Sequence, residues 1–159
     1  MKTILIIISL IVSAFAIFAF IAKDGPEMYV YLGKQTPKEF KQVINDLSLI
    51  EKDEAIQFFY SDALIDIQDG MYVITDKKIV LYNREWETPS LSITYEKIGR
   101  IEIHYSTSWD EDTWLFISDL EGESFDLPLS PDKGTDKRVI NYIETKISPE
   151  AHLVKVNAN

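Results

Sequence analysis

Asp69-Gly70-Met71-Tyr72-Val73-Ile74-Thr75-Asp76-Lys77-Lys78-Ile79-Val80-Leu81-Tyr82-Asn83 decides how the rest of this chain is read. Met71 to Thr75 and Lys78 to Tyr82 carry the β-branched and aromatic side chains of strands. Asp76-Lys77 is a turn pair between them. Asp69-Gly70 is a second turn pair, and Gly70 is expected to supply the positive φ of a two-residue hairpin turn. Adjacent hairpins make a meander, which needs further strands to bury its apolar face.

Those strands lie on either side. From Glu54 to Leu129 the pattern has period two. Ile56, Phe58 and Tyr60 alternate with Gln57, Phe59 and Ser61, and Ile65 and Ile67 continue the run, so Ala55 to Gln68 reads as one bent strand. Leu91, Ile93 and Tyr95 alternate with Ser92, Thr94 and Glu96; Ile101, Ile103 and Tyr105 alternate with Arg100, Glu102 and His104. Trp114 to Ile117 is another run, turned by Glu121-Gly122 into Phe125, Leu127 and Leu129. The count is seven antiparallel strands, each with one apolar and one solvated face.

Helical signals flank this region. Thr36-Pro37-Lys38-Glu39 has the form of a capping box with Pro at the first helical position. Phe40, Val43, Ile44 and Leu47 follow at helical spacing. Pro131 and Gly134 punctuate the chain before a last helix, with Ser130 or Thr135 as its cap and Val139, Ile140, Ile143 and Ile147 as its apolar stripe. Ser148-Pro149 stops it, and 148–159 reads as a tail.

Ile4 to Ala22 is uncharged, bounded by Lys2 and by Lys23-Asp24. As a helix it spans roughly 29 Å, the thickness of a bilayer's hydrocarbon core. It reads as a transmembrane anchor, with a cleaved signal peptide as the alternative, because Ala14-Phe15-Ala16 resembles a cleavage pattern. Lys2 and the α-amino group favour the domain facing outward. Tyr29 and Tyr31 are either interfacial aromatics, or Met28 to Leu32 forms a short strand or packs on the domain. The chain thus divides into an anchor or signal at 1–23, a linker with an amphipathic helix at 24–53, a β domain at 54–147 and the tail.

With a formal net charge of −10, and Lys2 the one charge in the first 22 residues, the domain repels phosphate backbones and anionic headgroups. Nucleic acid and anionic lipid headgroups are therefore not expected as partners. Zero Cys excludes disulfides, thiol catalysis and Cys-ligated metals.

Phe59-Tyr60-Ser61-Asp62, followed by Tyr72-Val73-Ile74-Thr75-Asp76-Lys77-Lys78-Ile79-Val80-Leu81-Tyr82, resembles the bacterial pleckstrin-homology-like (PH-like) and GRAM-type domains, which often show a "yvlTd-ri-y" run here. The resemblance covers roughly Glu54 to Ile147. It implies a mainly β fold with flanking α: a seven-stranded antiparallel open barrel capped by a C-terminal helix, preceded here by the anchor and the short amphipathic helix. Such domains serve mostly in binding and scaffolding. Relatives that hold phosphoinositides use basic residues near the first strand-turn; this chain has Asp62, Asp66 and Asp69 there, so that role is not carried over.

Little in the chain points to catalysis, a metal or a cofactor. His104 and His152 have no partners at metal-ligand spacing, and no nucleophile elbow, H-E-x-x-H or phosphate-cradling Gly loop is present. Ser106-Thr107-Ser108-Trp109-Asp110-Glu111-Asp112-Thr113-Trp114 is the most distinctive stretch, but it lacks the Gly-punctuated spacing of a calcium loop. It reads as a charged hairpin tip or as a contact surface for a protein or peptide partner. Trp109 is the leading contact residue, beside Asp110 and Asp112. The edge of a hairpin from Leu91–Tyr95 and Arg100–Tyr105, with Thr94 and His104 outward, is the place for an extended peptide to add by backbone pairing.

Overall fold

The computed structural model describes residues 6–13, 27, 29–108 and 110–156. Residues 6–13 are helical and exposed. Among the described residues no helix is long and apolar enough to cross a membrane. The rest of the Ile4–Ala22 run, and with it the choice between anchor and signal, lies outside them.

The domain is mainly β, two sheets closed by a C-terminal helix, as the PH-like resemblance implies. Among the described residues nine strands build it rather than seven. The first sheet runs β1 (Tyr31–Leu32), β2 (Ile56–Tyr60), β3 (Met71–Thr75), β4 (Lys78–Tyr82) and β5 (Ser90–Thr94), in that spatial order. The second holds β6 (Ile98–His104), β7 (Thr113–Asp119), β8 (Ser124–Leu129) and β9 (His152–Val156), in the order β8-β7-β6-β9. Helix α1 is Lys38–Asp46 and helix α2 is Thr135–Glu144.

The extra strands come from segments that sequence periodicity undervalues. Two-residue β1 is too short to show alternation, and pairs Tyr31 with Phe59. The segment read as a tail folds back to pair β9 with β6, in parallel, Arg100 opposite His152 and His104 opposite Val156.

Solvation of one face per strand holds for β6 and β7 of the second sheet and fails for the first sheet. Along β6 and β7, Ile101, Ile103, Leu115 and Ile117 are buried while Arg100, His104, Trp114 and Phe116 are exposed. Every residue of β3 is buried. Its two faces enter separate cores. Tyr72 and Ile74, with Phe58, Tyr60, Ile79, Leu81 and Ile93, face the second sheet and the buried Val139, Ile140 and Ile143 of α2. Met71 and Val73, with Phe59 and Val80, pack under α1 through Phe40, Val43, Ile44 and Leu47. Phe59, counted on the polar side of its strand, is fully buried, its ring centroid 5.5 Å from Phe40. A buried Phe contributes about 1.5–3 kcal/mol, so the amphipathic helix is a structural cover for this sheet.

Several local signals resolve differently from expectation. Asp76-Lys77 does turn β3 into β4, with Ile74 opposite Ile79. Asp69-Gly70 is no hairpin turn: residues 61–70 connect β2 to β3 through a 3-10 turn at Ile67–Asp69, and Gly70 is extended at φ 173°. Glycine is needed there for space, since a Cβ would lie 2.0 Å from Asp62 Oδ1. The Thr36–Glu39 capping box does not form; Thr36 Oγ1 donates to the Leu32 carbonyl (3.4 Å) and no side chain caps α1. Helix α2 likewise has no side-chain cap and starts after Gly134, at φ 66° in the left-handed region that favours glycine.

Candidate functional site

At one end of the domain, the loop from β6 to β7 and the connection from β8 to α2 enclose a hollow of about 650 Å³. Tyr60, Ser106, Asp110, Asp112, Ser130 and Asp132 are among its lining residues, with Lys133 beside them. Trp109 lies outside the described residues.

Tyr60 and Asp112 line the hollow, and the Tyr72–Asp62 pair lies behind them. Tyr60, the last residue of β2, donates from its hydroxyl to Asp112, whose two carboxylate oxygens lie 3.0 and 3.1 Å away. Tyr72 of β3 donates to Asp62 Oδ2 at 2.9 Å. The two rings stack at 5.9 Å, so both phenol–carboxylate pairs sit side by side. Burial, reinforced by the adjacent carboxylates, raises the pKa of both phenols. These tyrosines stay protonated and act as fixed donors. Asp112 is itself raised: burial is the main cause, the Tyr60 hydrogen bond works against it, and repulsion from Asp62 adds to it.

Ser and Thr hydroxyls shape the wall. Ser106 Oγ donates to the Ser108 carbonyl (2.5 Å) and accepts from the Ser108 amide (3.1 Å), while Ser108 Oγ donates to Asp110. The Ser106 amide donates to Thr113 Oγ1 (3.1 Å), which donates to Asp136 Oδ2 at 2.8 Å. A second hollow of about 510 Å³, sharing Ser106 and Pro131, lies against Asp136. Lys133 is partly neutralised: its Nζ lies 3.3 Å from Asp132 and 5.0 Å from the centroid of the Tyr29 ring. Three aspartates at the first hollow thus face one paired lysine. The surface favours a cation.

The structure brings Asp110 and Asp112 together and separates the other candidates. His104 is exposed on the outer face of the second sheet, Nε2 2.8 Å from Glu102 Oε1, its ring edge-on to Phe116 at 5.0 Å. The His104 hydrogen bond, then Arg100, lowers the Glu102 pKa. Thr94 ends β5 opposite Lys78, in the other sheet. The expected Leu91–Tyr95 and Arg100–Tyr105 hairpin does not form. A 3-10 turn at Tyr95–Lys97 carries the chain from one sheet to the next, and β6 pairs with β7 and β9 instead. The open edge imagined beside His104 is therefore filled by this chain's own C-terminal strand. Thr94 remains on β5, the last strand of its sheet.

Sequence reasoning missed Tyr60, Tyr72, Ser130, Asp132 and Asp136 as site residues. Tyr60 and Asp112 are 52 positions apart, and nothing in strand periodicity distinguishes a tyrosine holding a carboxylate from one filling a core. Among the described residues, no group of three or more His, Asp or Glu is arranged to hold a metal ion.

No family model and no curated protein matches the chain. Solved structures similar to it include two pleckstrin-homology proteins. One is a DUF1696 family protein with a pleckstrin-homology domain from Shewanella loihica PV-4, at 20% identity and TM-score 0.47, covering 66% of this chain and 89% of that one. Another is a pleckstrin homology domain from Shewanella amazonensis SB2B, at 19% identity and TM-score 0.46, covering 65% and 86%.

Proposed function

We propose that this chain is a non-catalytic PH-like interaction module, held at the membrane by Ile4–Ala22 with its domain outward, that docks a basic segment of a protein partner. The docking place is the hollow between the Ser106–Asp112 loop and the Ser130–Lys133 connection. The observation that carries this reading is the grouping of Asp112, Asp110 and Asp132 around one hollow, with Asp112 fixed by Tyr60. A preorganised carboxylate loses little freedom when a cation arrives, and an acidic surface speeds a basic partner's approach. The uncharged Ile4–Ala22 run supports the anchor.

The test is fluorescence anisotropy with labelled lysine- and arginine-rich peptides and their acidic counterparts. Basic peptides should bind, with affinity falling as salt rises. Asp110→Lys with Asp132→Lys reverses two exposed charges without touching the Tyr60 bond, and should abolish binding. Equal binding of acidic peptides, or unchanged affinity in the charge-reversed protein, sinks the reading.

A further inference from the structure

Three buried side-chain oxygens make no hydrogen bond among the described residues: Asp69 Oδ1, Glu144 Oε1 and Asp136 Oδ1. Two of them have a cation beside them, Arg84 Nε at 2.7 Å from Asp69 Oδ1 and Lys155 Nζ at 2.7 Å from Glu144 Oε1. Asp136 Oδ1 has none among the described residues. The residue is only 2% exposed, and its other oxygen is taken by Thr113. It lines the second hollow with Tyr105, Ser106, Pro131, Gly134 and Lys137. Its position in the first turn of ten-residue α2 makes the helix dipole favour its negative charge, yet leaves the second oxygen unsatisfied. Buried polar atoms in folded proteins nearly always have a partner.

We propose that this hollow receives a primary ammonium group, a lysyl side chain of the basic partner, with Asp136 as its counter-charge. The proposal rests on the docking reading above and names the group recognised. A guanidinium prefers two parallel acceptors, whereas Asp136 offers one free oxygen; an ammonium is a compact point charge whose three rotatable donors need no paired acceptors, so one can turn to that oxygen while the others meet water. Tyr105 supplies an aromatic wall to which a cation is attracted. Pro131 gives apolar surface for the lysyl stem. Lys137, which forms no ion pair among the described residues, is the chain's own competitor for the site.

The experiment is an NMR titration of the full-length protein in detergent micelles with N-acetyl-lysine methylamide. The amides of Ser106 and Gly134 to Lys137 should shift and saturate. Asp136→Asn keeps an acceptor for Thr113 and removes the charge, and should weaken the probe more than about tenfold; Lys137→Met should tighten it. The ε-acetylated probe and the arginine analogue should each bind at least about tenfold more weakly. Unchanged affinity in the Asn variant, or equal affinity for the arginine or acetylated probe, overturns the site. If n-butylammonium matches a lysine-containing peptide, a free amine is the ligand and the assignment to a protein partner is overturned. The two readings fail separately. Loss of peptide binding on reversing Asp110 and Asp132, with the Asp136→Asn titration unchanged, removes the ammonium site and keeps the docking surface. The opposite pattern removes the docking surface and keeps the ammonium site.

Discussion

Tyr60 Oη sits between the two carboxylate oxygens of Asp112, 3.0 and 3.1 Å away, and so ties the end of β2 to a loop 52 residues further along the chain. A hydrogen bond to a charged group contributes about 1.5–3 kcal/mol. Tyr60→Phe removes only the donor, leaving the stack on Tyr72 intact. It should lower stability by roughly that amount in urea unfolding. It should also raise the Asp112 pKa further, because the one interaction now lowering it is lost. An unchanged midpoint for Asp112 in a carboxyl NMR titration would show that the bond is not formed in solution.

The Asp112 titration also sets a direction for stability. Its pKa in the folded state is raised, chiefly by burial, so the folded state binds a proton more readily than the unfolded chain. Stability attributable to this group is therefore greatest below the ordinary aspartate range. It falls as pH rises from that range through the raised value. Asp112→Asn should flatten this slope, so that the stability difference between wild type and variant drifts in favour of the variant across the window. Unfolding at a series of pH values measures it; a difference that moves the other way means the Tyr60 bond outweighs burial.

Gly70 and Asp62 give a packing test. A Cβ at Gly70 would lie 2.0 Å from Asp62 Oδ1, and Asp62 is not free to swing away because Oδ2 accepts from Tyr72. Gly70→Ala should cost about 1–3 kcal/mol, the range for overpacking. In an Asp62→Ala background the same change should cost much less, since the clash is gone and φ 173° suits any residue. A double-mutant cycle reads this coupling directly. Additive effects would mean that the clash is relieved elsewhere.

What the sequence disclosed follows from the range of the forces involved. The β3–β4 hairpin was legible because β-branched runs and the Asp76-Lys77 turn are local. So was the apolar stripe of α2, whose Val139, Ile140 and Ile143 close the core between the sheets. The break between β5 and β6 was not legible, because Leu91–Tyr95 and Arg100–Tyr105 carry the same alternation whether they pair with each other or turn into different sheets. Phe59 was given its correct face but read as solvated, for a related reason. Alternation assigns faces, but whether the second face meets water depends on where α1 packs. At the candidate site Asp110 and Asp112 stood out as a local acidic run. Asp136 did not, since a carboxylate in the first turn of a helix is ordinary in sequence and becomes informative only when its burial and empty oxygen are seen.

The C-terminal strand offers the last prediction. Strand β9 covers the edge of β6 through a five-residue parallel register, and Lys155 Nζ lies 2.7 Å from Glu144 Oε1 of α2. Parallel pairing is slightly less stable per residue than antiparallel pairing, and His152, Lys155 and Val156 are exposed. Of its side chains only Leu153 is packed against the core between the sheets, half-buried, so removal of the strand should leave most of both cores intact. Truncation after Glu150 is expected to cost only a small part of the domain's stability while uncovering the N–H and C=O row of β6. Unpaired edges recruit other chains, so the truncated protein should self-associate in a concentration-dependent manner where the full-length protein does not. Analytical ultracentrifugation in detergent, on both forms, separates the cases. A truncated chain that sediments like the full-length one shows that β9 is not what protects the edge; one that unfolds shows that β9 belongs to the core.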